Sequence, residues 1–107
     1  MNTKNNNLEV VPFTRTFLKD ELLTAIKELG FKKPTPIQEK VIPHLLSSNQ
    51  DLIASAQTGT GKTAAFGLPL LNLTQVEDLR TQTIILCPTR ELCIQITNDL
   101  KKYSKYI

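Results

Sequence analysis

A chain of 107 residues with 40% hydrophobic and 21% charged residues is long enough for one small domain with a core and too apolar for wholesale disorder. Its formal charge of +3 is compatible with a polyanionic partner but singles none out. No apolar run approaches the roughly eighteen residues of a membrane span, and the start, MNTKNNN, lacks a signal-peptide core, so a cytoplasmic protein without a membrane partner is expected.

Residues 1 to 8 are polar and Asn-rich and read as a disordered leader, with one ordered unit over 9–107. Leu18, Leu22, Leu23, Ile26 and Leu29 share one helical face, with Asp20 and Glu21 at its positive end and Gly30 beyond its last turn. This predicts a helix over about 19–29. Phe17, just before it, is expected in the core. FKKPTP is a connector, and Pro36 suits the first position of a second helix over about 36–47, with Ile37, Val41, Ile42 and Leu45 inward. His44 has no partner at metal-ligand spacing and reads as a surface residue.

DLIASA reads as a strand entering a glycine-rich loop, and TAAFGLPLLNL as the helix after it, one that Pro69 is expected to bend or interrupt. TQVEDLRT is a polar surface loop. QTIILC, residues 82–87, is the apolar run of a strand buried on both faces of a parallel sheet. Thr89 can cap a last helix with Leu92, Ile96, Leu100 and Tyr103 along one side, and Lys101, Lys102 and Lys105 read as a solvated basic end. Cys87 and Cys93 fall in that buried strand and that helix, as reduced thiols would.

Two strand–helix units after two leading helices imply the start of a three-layer α/β fold with a parallel sheet. Such sheets usually hold about five or six strands, so the chain reads as truncated.

The chemistry concentrates at Ala56, Gln57, Thr58, Gly59, Thr60, Gly61, Lys62 and Thr63. Apart from Ala56, this matches the G-x-x-x-x-G-K-[ST] phosphate loop, in the strand–loop–helix setting the motif demands. The glycines permit a tight turn whose amides face phosphate oxygens, and the following helix adds its positive end. Lys62 would meet the β- and γ-phosphates, and the Thr63 hydroxyl would complete the shell of a nucleotide-bound Mg²⁺. ATP and Mg²⁺ are therefore the expected cofactors.

AQTGTGKT, together with GFKKPTPIQ at 30–38 and PTRELCIQI at 88–96, resembles the DEAD-box family of ATP-dependent RNA helicases, bacterial type. The resemblance implies a P-loop NTPase, RecA-like fold, of which this chain is the amino-terminal part of the first domain. It implies adenine recognition by Gln38, with Phe13 stacking on the ring and Lys33 in the same motif. It also implies that Pro88, Thr89 and Arg90 contact the RNA backbone. Gln38 has a structural alternative, because Thr35-Pro36-Ile37-Gln38 is also a capping box, and Pro88–Arg90 reads equally as a helix cap with a solvated arginine. The family pattern continues with the D-E-A-D carboxylates, an S-A-T motif and a second domain, none of them in this sequence. This chain alone should hydrolyse little, and the rest of the helicase is an expected partner. A short non-catalytic nucleotide-binding module and a DNA translocase are the alternatives.

Overall fold

Leu22, Ala25 and Ile26 recur at helical spacing, and each is buried, so the first helix turns one apolar stripe inward as its pattern predicts. In this computed structural model, residues 17–55 and 61–107 are described. They hold four helices: α1 (Asp20–Glu28), α2 (Pro36–Ser47), α3 (Lys62–Leu73) and α4 (Arg90–Tyr103). Gly30 follows α1 at φ 91°, the left-handed conformation that ends a helix and that glycine adopts without penalty. Phe17 is not core. It takes φ 65° and leaves its ring 76% exposed, and Leu18 packs in its place.

α2 begins at Pro36 with Thr35 as its N-cap. The Pro69 ring does not end α3, which runs unbroken to Leu73. The ring is fully buried, and that packing offsets the hydrogen bond a proline cannot donate. Leu22, Ile26, Ile42, Leu68 and Tyr103 form the core with Leu18 and Ala64. Each large aliphatic side chain there contributes roughly 1.5–3 kcal/mol by burial. Leu29, at the end of α1, is exposed instead.

Residues 51–55 and 81–87 are extended, but neither forms a β-ladder among the described residues. The expectation of strands buried on both faces is corrected here. Thr83 and Ile85 face α3 and Leu100 of α4, whereas Ile84 and Leu86 are 77% and 90% exposed. Leu52 and Ala54 border α2 and α3, and Ile53 is bare. Strand-like alternation is present, but helices cover one side only, and without neighbouring strands the other apolar side has nothing to pack against. Cys87 is accordingly half-buried and Cys93 exposed, not buried as their pattern suggested. His44 also departs from expectation: it is half-buried, and its Nε2 has no hydrogen-bond partner among the described residues.

The chain end is tied back to α1. Lys105 Nζ reaches Glu28 Oε1 at 3.1 Å, and the Tyr106 hydroxyl donates to the other carboxylate oxygen. The Tyr106 hydrogen bond first, and Lys105 second, hold the Glu28 carboxyl below its usual range. This pair is solvated and stabilises little. Among the described residues no helix is long and apolar enough to cross a membrane.

Tyr103 packs edge-on against Phe31, ring centroids 6.0 Å apart. Burial first, and then the Asp99 carboxylate, push its phenol from 10.0 up to about 12. The folded state thus holds the phenolic proton more tightly than the unfolded state. The resulting stability is complete below pH 10 and is lost as pH rises towards about 12. Urea unfolding at stepped alkaline pH should show a smaller decline across that window in Tyr103→Phe than in the wild type. Equal declines would contradict the assignment.

Candidate nucleotide-phosphate site

The four helix starts differ in how their free amides are satisfied. Thr35 accepts the Gln38 N–H at the start of α2, and Thr89 accepts the Leu92 N–H at 3.1 Å at the start of α4. α1 lacks a side-chain cap but carries Asp20 and Glu21 in its first turn. α3 has neither a side-chain cap nor an acidic residue in its first turn. Among the described residues, no side chain caps its first amides or offsets its positive dipole end.

The local sequence explains why α3 starts where it does. Gly61 is its N-cap at φ 83°, ψ 29°, a left-handed conformation that L-residues with a Cβ rarely adopt. The Gly61 carbonyl accepts the Ala65 N–H at 3.1 Å and the Gln38 Nε2–H at 3.1 Å. Gln38 Oε1 in turn accepts the Thr35 N–H at 2.9 Å. One buried amide, 2% exposed, closes the capping box of α2 and fixes the entry to α3.

A Cβ at Gly61 would fall 2.3 Å from Gln38 Nε2 and 3.3 Å from Thr35 Oγ1. The two helix starts are in direct contact through a position that admits no side chain. Lys62 follows as the first residue of α3 and is exposed, and Thr63 is half-buried beside it.

Of the residues singled out by sequence, the structure brings together Gln38, Gly61, Lys62 and Thr63. Lys33 is exposed in the connector before the buried Pro34. Phe13 and Ala56, Gln57, Thr58, Gly59 and Thr60 lie outside the described residues. Pro88, Thr89 and Arg90 form a second exposed helix start, at α4, and among the described residues no hydrogen bond joins them to the Gln38–Gly61 pair. The coupling of Gln38 to Gly61 escaped the sequence. The capping box was legible, but nothing in the pattern said which carbonyl the spare amide N–H would meet.

The family model for DEAD/DEAH box helicases matches residues 35–107, more than half of the chain. The chain belongs to the DEAD/DEAH box helicase family. It is 48% identical over 94 residues to the DEAD-box ATP-dependent RNA helicase CshA of Bacillus cereus, covering 88% of this chain and 18% of that protein. It is also 48% identical over 90 residues to the ATP-dependent RNA helicase DeaD of Klebsiella pneumoniae, covering 84% of this chain and 14% of the relative. The chain thus spans less than a fifth of the length of these helicases.

Among solved structures, yeast Dbp5 bound to RNA and ADP BeF3 superposes with a TM-score of 0.86 at 40% identity, over 90% of this chain and 25% of that one. A DEAD box protein from Methanococcus jannaschii gives a TM-score of 0.82 at 44% identity, over 87% of this chain and 25% of its own. These DEAD-box neighbours support a P-loop NTPase fold, although the described residues of this chain show only its helices and extended segments.

Proposed function

We propose that residues 9–107 form the amino-terminal portion of the RecA-like ATP-binding domain of an ATP-dependent RNA helicase, preceded by a polar leader over 1–8. In the whole domain the two extended segments become strands of a three-layer parallel sheet. The bare side chains of Ile53, Ile84 and Leu86 support that reading, since they need a covering layer. The observation that carries the proposal is the α3 start, which among the described residues has no side-chain cap and no acidic first turn, with a left-handed glycine and an exposed lysine in the phosphate-loop pattern.

This donor set fits a polyphosphate. Ala56–Thr63 wraps the phosphates, Lys62 supplies a positive charge at their far end, and the Thr63 hydroxyl offers an oxygen to a nucleotide-bound Mg²⁺. In this reading the ion is bound together with the nucleotide phosphates. Bound Mg²⁺ supplies charge neutralisation across the phosphates.

Gln38 spends one N–H on Gly61 and one lone pair on Thr35. One of each remains, side by side, for the N6 and N7 edge of adenine. Phe13 and Lys33 complete the base side of the site. Guanine would oppose the spare lone pair with an acceptor, so ATP should outcompete GTP for the full-length protein; equal affinities would remove the adenine assignment.

Pro88, Thr89 and Arg90 would meet RNA phosphates at the α4 start. RNA is bound by the relative whose structure most resembles this chain in fold among those described above, and its title supports RNA as the partner here. The test is ATP hydrolysis by the full-length protein with and without RNA. Acceleration by RNA and not by DNA is expected, and turnover indifferent to RNA would defeat the proposal.

A further inference from the structure

α3 is tied at both ends to the start of a neighbouring helix through a carboxamide side chain. At its own start, Gln38 accepts the N–H of Thr35, the N-cap of α2, and donates to the Gly61 carbonyl. At its far end, Asn72 Oδ1 accepts the N–H of Lys19, the N-cap of α1, at 2.7 Å across a separation of 53 in sequence. The Lys19 side chain makes no cap hydrogen bond. Asn72 thus does from another helix what the N3 side chain of a capping box does within one.

The turn before Lys19 is a costly one. Phe17 takes φ 65°, which a bulky L-residue seldom adopts, and its ring is exposed, so burial of Phe17 itself does not offset the strain. The residues after it hold the turn instead: Leu18 is locked in the core, and Lys19 is bonded to Asn72. At about 1.5 Å per residue, Asn72 stands roughly 15 Å along α3 from Lys62. The chain from Phe13 to Lys19 can extend at most about 20 Å. That tether reaches back to the Gln38 end of α3 with little slack, so the place where its root is fixed decides whether the Phe13 ring arrives there.

We propose that Asn72 is a positioning residue for the base side of the nucleotide site: by holding the Lys19 N–H it fixes the Phe17 turn and aims Phe13 at the adenine held by Gln38. This role rests on the proposed stacking of Phe13 on adenine. Asn72 acts through Phe13 and not by contact with the nucleotide. Without its acceptor the Phe17 turn relaxes towards an ordinary negative φ and the base loses its stacking ring, while the phosphate contacts of Lys62 and the α3 start persist.

Calorimetric titration of the full-length protein with Mg–ATP and with magnesium tripolyphosphate, which has the phosphates without the base, separates these effects. Asn72→Ala should weaken ATP binding roughly 2–10-fold, the range one hydrogen bond typically carries, and leave tripolyphosphate binding unchanged. Asn72→Asp keeps an oxygen acceptor and should restore ATP binding. Phe13→Ala should weaken ATP as well, and adding Asn72→Ala to it should cost nothing more, because both act through one ring. Additive losses, or equal weakening of ATP and tripolyphosphate by Asn72→Ala, would overturn the proposal. Normal ATP binding by Asn72→Ala beside a weakened Phe13→Ala would remove the role of Asn72 and keep the stacking, whereas normal binding by Phe13→Ala would remove both.

Discussion

Replacing Lys62 by alanine should lower ATP turnover by the full-length protein by about 10²–10³-fold, the usual loss when one fixed donor to transition-state charge is removed. Lys62 is the first residue of α3 and exposed, so the substitution leaves no cavity and no buried partner. Stability should therefore change by less than about 0.5 kcal/mol. That separation makes the prediction sharp. Phosphate release and a denaturant curve on the same preparation would check it. A variant that hydrolyses ATP normally, or that loses activity only because it unfolds, would remove Lys62 from the phosphate site.

Gly61→Ala is expected to act the opposite way, through the fold. A left-handed backbone costs an L-residue roughly 1–2 kcal/mol, and the new Cβ, 2.3 Å from Gln38 Nε2, would evict the amide that joins α2 to α3. An amide oxygen or nitrogen left without its partner in a buried setting costs about 1–3 kcal/mol more. The combined loss is roughly 2–5 kcal/mol, read as a shift in the urea midpoint at unchanged slope. Gly67→Ala is the control. A Cβ there meets the movable end of Leu100 at 2.6 Å and Tyr103 at an ordinary 4.0 Å, and alanine in a helix interior recovers up to about 1 kcal/mol of propensity. If the two alanine variants lose stability equally, Gly61 is an ordinary helix start and its contact with Gln38 has little energetic meaning.

The helices were legible because their signals are local. Thr35-Pro36 and Thr89 mark helix starts by side chains that bond within three residues, and the observed α2 and α4 begin where those signals place them. Pro69 does not interrupt the helix, because a proline penalty is local, whereas the packing that offsets it comes from elsewhere in the fold. Phe17 also departs from its pattern: hydrophobicity says that a side chain prefers burial, but Phe17 sits at a left-handed φ and is exposed while Leu18 takes the core position.

The apolar run in 82–87 reads as a strand buried on both faces, yet Ile84 and Leu86 are exposed, because their burial depends on residues that are not in this chain's helical layer. Sequence reports what a segment can pair with, and pairing also needs the partner. At the site, the motif named Gly61, Lys62, Thr63 and Gln38 singly. Their arrangement through one shared carbonyl is a tertiary fact with no spacing rule behind it.

Calorimetric titration of the full-length protein with Mg–ATP, Mg–ADP and AMP tests the phosphate site most directly. The two polyphosphate nucleotides should bind at one site and AMP far more weakly, because the α3 amides and Lys62 act on the phosphate tail. AMP binding as tightly as ATP, or no uptake of any of the three, would contradict the assignment.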